Sequence, residues 1–258
     1  MHTVSHHGRE TAYEVTDRGG NGPSVCCVHG TGSTHARWRA QLPLADRNPL
    51  VALDLSGHGS SDDIEAEAGY SALSAYADDV LAVTDATGAS VLLGSSLGGA
   101  AIMHAIVERD VRPDAAILTG AGARLGVLED LLIWLETDFD RAIEFLHEPG
   151  RLFSDPEPAL LERSKAAMSD CGQPVVRRDF ETCHTFDVRS DLSKIDVPVL
   201  AICGERDQLT PPWFHEYLAD EIPDASVVTI EDAAHLVMLE QPAAFNETVR
   251  EFLETVEG

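Results

Sequence analysis

Short, uninterrupted apolar runs recur along the chain and alternate with stretches of helical periodicity. Val25-Cys26-Cys27-Val28, Leu50-Val51-Ala52-Leu53, Val91-Leu92-Leu93, Ala115-Ala116-Ile117-Leu118, Val199-Leu200-Ala201-Ile202-Cys203 and Val227-Val228-Thr229-Ile230 are the strand candidates. Each is too short for a helix and apolar at successive positions, which predicts strands buried on both faces. Tyr13-Glu14-Val15 adds an earlier strand, followed by the turn Gly19-Gly20-Asn21-Gly22-Pro23. Helical spacing from Ser71 to Thr87 puts Leu73, Tyr76, Ala77, Val80, Leu81 and Thr84 on one face. Further helices are predicted over 97–108, 213–221 and 242–256. Buried strands alternating with helices predict an α/β fold with a parallel sheet covered on both sides.

The alternation breaks between about Ala121 and Asp191. Leu128, Leu131, Leu132, Leu135, Phe139, Ile143 and Phe145 recur at helical spacing, and Asp155-Pro156-Glu157-Pro158 separates two helical pieces. No strand is predicted there. The expected organisation is one core, residues 1–120 and 190–258, with a helical cap insertion at 121–189 placed to cover a site.

Composition changes this picture in one respect. Among 258 residues Asp and Glu number 44 against 18 Lys and Arg, a formal net charge of -26. Lys165 and Lys194 are the only lysines. Such a surface repels itself in dilute buffer and is relieved by screening salt. The composition resembles that of proteins from extreme halophiles, and it argues against nucleic acid and anionic membranes as partners. The five cysteines, Cys26, Cys27, Cys171, Cys183 and Cys203, are an odd number without metal-ligand spacing. Vicinal Cys26 and Cys27 would point to opposite faces of a strand, so buried thiols in a reducing compartment are expected. No apolar signal region or membrane-length run is present, and a soluble cytoplasmic protein is expected.

Chemistry concentrates at Gly94-Ser95-Ser96-Leu97-Gly98, between the strand ending at Leu93 and a small-residue helix. This is the strand–turn–helix context of a G-x-S-x-G nucleophile elbow, in which only Ser96 fits the frame. A serine hydroxyl needs a base to take its proton, and that base needs an orienting carboxylate. Asp207 follows the strand ending at Cys203, and His235 follows the strand ending at Ile230. Alone, either residue has an ordinary structural use; together, in the order Ser96, Asp207, His235, they form a candidate triad. Asp232 is the alternative acid, and His184 and His215 are alternative bases, although neither histidine follows a strand. For the oxyanion hole, the N–H of Leu97 sits at the positive end of its helix, and Thr31 in His29-Gly30-Thr31-Gly32 supplies a second donor.

These segments, with Asp54-Leu55-Ser56-Gly57-His58-Gly59-Ser60-Ser61, Thr210-Pro211-Pro212 and Glu240-Gln241-Pro242, resemble the α/β-hydrolase superfamily over essentially the whole chain. The resemblance is greatest to small capped carboxylesterases and enol-lactone hydrolases. It implies a mostly parallel eight-stranded sheet, a helical cap and a structural rather than catalytic His58. Family members with dehalogenase or epoxide-hydrolase activity carry aspartate where this chain has Ser96. Hydroxynitrile lyases need a lysine near the triad, and none lies near Asp207 or His235. The expectation is a serine hydrolase of small-molecule carboxylic esters or lactones acting through an acyl-enzyme on Ser96, without metal or organic cofactor. A cofactor-free perhydrolase and a non-catalytic binding protein are the alternatives. Trp38, Trp134 and Met103 are candidate substrate contacts, and the apolar residues of the insertion are candidate pocket walls, with plain packing the expected role of most. The sequence leaves the oligomeric state open.

Overall fold

The computed structural model describes residues 1–256. Its strands are β1 (His2–His6), β2 (Arg9–Thr16), β3 (Val25–Val28), β4 (Leu50–Leu53), β5 (Val91–Ser95), β6 (Ala115–Thr119), β7 (Val199–Gly204) and β8 (Ala225–Ile230). They form one eight-stranded sheet in the order β1-β2-β4-β3-β5-β6-β7-β8. The pairs β1–β2 and β2–β4 are antiparallel, and every pair from β4 onward across the sheet is parallel. The carboxyl ends of β3, β5, β7 and β8, where the candidate residues lie, therefore share one edge.

Both faces of the sheet are covered, as continuous apolar strands require. Cys26 and Cys27 are fully buried on opposite sides. Cys26 packs with residues of α1 (Tyr70–Thr87), α2 (Leu97–Glu108) and α7 (Pro212–Glu221). Cys27 packs with a 3-10 segment, His35–Asp46, and with α8 (Val237–Glu240) and α9 (Pro242–Val256). No helix among the described residues is long and apolar enough to cross a membrane.

Several local expectations change. The strand foreseen at Tyr13–Val15 extends over Arg9–Thr16 and forms a hairpin with β1 through His7 and Gly8, both at positive φ. Hydrophobic patterning misses β1 because none of its residues is buried. In α1 the inward face is Ala72, Leu73, Tyr76, Ala77, Asp79, Val80 and Val83, whereas Leu81 and Thr84 are only half-buried. Asp79 sits inside because Arg9, Thr11 and Ser56 hydrogen-bond its carboxylate. β8 is at the sheet edge and only Ile230 in it is buried, so it is not the doubly buried strand its apolar run suggests.

Between β6 and β7 the chain forms four α-helices, α3 (Glu129–Thr137), α4 (Phe139–Leu146), α5 (Pro158–Cys171) and α6 (Gln173–Thr185), followed by a short 3-10 turn at Leu192–Lys194. Asp138 divides α3 from α4 by accepting a hydrogen bond from the Arg141 N–H, and Gly172, at φ 88°, divides α5 from α6. The two ends of this segment are tied together. Arg124 and Asp187 form an antiparallel bridge, and the Val188 N–H donates to the Ala123 carbonyl at 2.8 Å.

Candidate active site

The turn from β5 into α2 holds Ser96 at φ 55° and ψ -116°, a conformation an L-residue adopts only when its surroundings impose it. Close packing imposes it here. A Cβ on Gly94 would lie 2.7 Å from the backbone of Gly98, and one on Gly98 would lie 2.4 Å from the Val28 carbonyl oxygen. The start of α2 thus presses onto the end of β3, which brings the His29–Gly32 loop beside Ser96. The N–H groups of Leu97 and Thr31 have no acceptor among the described residues, and Thr31 and Ser96 line the same cavity.

His235 and Asp207 meet across two loops. The Nδ1 of His235 lies 2.9 Å from Oδ2 of Asp207, and both residues are buried. Asp207 is further held by the backbone N–H groups of Leu209 and Thr210 and by the Thr210 hydroxyl, which donates to Oδ2 at 2.7 Å. Burial by itself would raise the Asp207 pKa, but attraction to His235 and these hydrogen bonds outweigh it and hold the carboxyl below its ordinary range. Gly120 leaves room for the imidazole: a Cβ there would lie 2.9 Å from Cε1 of His235. The Nε2 of His235 and the Oγ of Ser96 have no hydrogen-bond partner among the described residues, and both residues face one cavity of about 200 Å³.

The alternative residues sit elsewhere. Asp232 is exposed and pairs with Arg206. His184 is exposed and bonded to Val127. His215 is fully buried, with its Nε2 accepting the Ala121 N–H at 3.0 Å, and burial pulls its pKa down to about 4.

The alpha/beta hydrolase family model matches residues 27–248, from β3 to α9. This chain is an alpha/beta hydrolase. It is 28% identical over 251 residues, 90% of this chain and 94% of the relative, to a pimeloyl-[acyl-carrier protein] methyl ester esterase of Neisseria meningitidis. A solved thermophilic esterase superposes with a TM-score of 0.86 at 30% identity, covering 98% of this chain and 97% of that one. Est816, described as an N-acyl homoserine lactone degrading enzyme, superposes at 0.84 with 28% identity, covering 97% and 99%.

Three residues expected at the substrate do not reach this hydrolase's cavity. Met103, on the inward side of α2, is fully buried in the core. Trp38 is 2% exposed and packs on the opposite face of the sheet, beside a separate surface depression. Trp134 stacks edge-on against Phe145 and carries Arg141 over its ring, one layer behind the cavity wall. Of the insertion's apolar residues singled out above, Leu128, Leu131 and Phe145 line the cavity, whereas Leu132, Leu135, Phe139 and Ile143 pack. Sequence reasoning named Thr210 within the Thr210-Pro211-Pro212 segment but gave it no role, although its position three residues after Asp207 was a signal. It missed Arg37, Met168, Phe180 and Gln208 in the cavity wall, for which no local motif speaks. His58 is buried and hydrogen-bonded to Asp179 at 2.9 Å, away from Ser96's cavity.

Proposed function

We propose that this alpha/beta hydrolase cleaves carboxylic esters or lactones through an acyl-enzyme on Ser96. The observation that carries this reading is the Asp207–His235 hydrogen bond of 2.9 Å, with His235 and Ser96 opening onto one cavity. Ser96 Oγ attacks the carbonyl carbon while His235 Nε2 takes its proton. Asp207 holds the imidazole with Nδ1 protonated and supports the imidazolium. The Leu97 and Thr31 N–H groups receive the oxyanion. Collapse breaks the carbonyl carbon–oxygen bond, and His235 hands its proton to the departing alkoxide, which stays tethered in a lactone. Water, deprotonated by His235, then releases the acid and restores Ser96.

Residues 121–189 act as the cap in this reading, since Leu125, Leu128, Leu131, Phe145, Met168 and Phe180 form most of the cavity's apolar wall. Such a wall excludes bulk water from the acyl-enzyme and limits the substrate to a small molecule. The relatives named for ester and lactone cleavage support both substrate types. A fluorophosphonate probe should label the wild type and not Ser96→Ala, and Ser96→Ala should lose turnover of p-nitrophenyl esters and simple lactones. Labelling of another residue, or turnover persisting in Ser96→Ala, would overturn the assignment.

A further inference from the structure

Arg37 stands out in a chain with a formal net charge of -26. Its Nε donates to Ser33 Oγ at 2.6 Å, while Nη1 and Nη2 have no acceptor among the described residues. It forms no ion pair among the described residues. Other arginines without one, Arg39, Arg124, Arg141 and Arg163, are exposed, whereas Arg37 is half-buried. Its burial is enough to pull its pKa down to about 10, and no carboxylate offsets this. The guanidinium nevertheless stays protonated at neutral pH. Burial foremost lowers the pKa of His29 and His147, helped by the charges of His58 and Lys165 respectively, and Arg37 adds a smaller push in the same direction on both.

Arg37 also belongs to the wall of the Ser96 cavity. Apart from His235 it is the single ionisable basic group there, and no Asp or Glu lines the cavity. A charge withdrawn from water without a partner is destabilising, even where surplus carboxylates abound elsewhere. A partner that arrives with the substrate removes that penalty at the moment of binding.

Resting on the ester or lactone reading above, we propose that the substrate carries a free carboxylate in addition to its scissile carbonyl, and that Arg37 binds this carboxylate through its Nη groups. The planar fork of the guanidinium matches a carboxylate in two parallel hydrogen bonds. One carboxylate balances one guanidinium. A phosphate monoester would leave excess negative charge in an otherwise apolar cavity, which disfavours it. The apolar residues of the same wall, among them Leu125, Leu131, Met168 and Phe180, suit the hydrocarbon that joins the two polar groups.

The test compares kcat/KM for monoethyl esters of linear dicarboxylic acids with ethyl esters of the matched monocarboxylic acids. Wild type should favour the anionic series. Arg37→Gln should lose roughly 10- to 100-fold on the anionic series and much less on the neutral one, as removal of a charge-assisted hydrogen bond implies. Arg37→Lys should recover part of the anionic preference. A wild type that hydrolyses both series but prefers the neutral one overturns the carboxylate assignment while leaving the esterase reading intact. Absence of both turnover and fluorophosphonate labelling instead strikes the esterase reading. Calorimetry then decides the role of Arg37 separately. Hexanoate should bind wild type at least tenfold more tightly than hexanamide, and Arg37→Gln should remove that difference; equal binding of the two by wild type overturns the proposal. Thermal melting of both Arg37 variants separates lost recognition from lost folding.

Discussion

His58 Nε2 lies 2.9 Å from Oδ2 of Asp179, joining a core loop at the carboxyl edge of the sheet to α6 of the insertion. The Tyr76 hydroxyl donates to the other carboxylate oxygen of Asp179 at 2.7 Å, and Arg178 donates from α6 to the same hydroxyl. The insertion is therefore fastened to α1 and to the Gly57–Gly59 loop by a buried polar network rather than by apolar contact alone.

Asp179→Asn should destabilise the protein by about 3–5 kcal/mol in urea unfolding at neutral pH, because it leaves His58 buried without its counter-ion. Burial disfavours charge on His58, but the attraction and hydrogen bond of Asp179 outweigh it and raise the His58 pKa well above 6.5. The pair's contribution is accordingly full below the ordinary histidine value and lost as pH climbs through the raised one. The wild-type melting temperature should show an alkaline decline that Asp179→Asn lacks. An unchanged alkaline limb in the variant would assign that decline to other groups.

Asp207→Asn should lower kcat about 10³- to 10⁴-fold, since an amide supports neither the tautomer nor the imidazolium. Asp232→Asn, which removes only an exposed pair with Arg206, should stay within a few-fold of wild type. Steady-state rates on one p-nitrophenyl ester decide the matter. Equal or reversed losses would transfer the orienting role to Asp232.

His215 carries an acid-sensitive part of the stability. Its folded pKa is about 4 against 6.5 unfolded. Between these values the unfolded chain binds the proton and the folded one does not, so stability falls as pH drops from 6.5 to 4. The full loss is about 3 kcal/mol at 1.36 kcal/mol per unit. His215→Gln keeps an acceptor for the Ala121 N–H and removes the titration. Urea unfolding of this variant should lose less stability than wild type over that pH range; parallel curves would contradict the role.

We propose that the acidic surface is an adaptation to high salt. With a formal charge of -26, screening of self-repulsion should raise the melting temperature steadily from dilute buffer to molar KCl. Calorimetric scans across KCl concentration test this. A flat response would leave the acidic composition without a halophilic cause.

Hydrophobic periodicity by itself determined the alternation of buried strands with helices, because a strand covered on both faces must be apolar at successive positions. The G-x-S-x-G frame and the ends of the predicted strands singled out Ser96, Asp207 and His235 as candidates, since the turn at Ser96 needs glycines on either side and loops at strand ends are legible where strands are. The tertiary structure decided what depends on partners distant in sequence. The strand-end position favoured Asp207 over Asp232, and the convergence of the β7 and β8 loops brings the Asp207 carboxylate to His235 while Asp232 pairs with Arg206. Trp38 and Met103 look like pocket residues in sequence and are core residues in fact, since a large apolar side chain serves either role. Arg37 shows the converse. Nothing in His35-Ala36-Arg37-Trp38-Arg39 separates Arg37 from Arg39, and only the fold leaves Arg39 exposed while placing Arg37 in the wall of the Ser96 cavity without a carboxylate partner among the described residues.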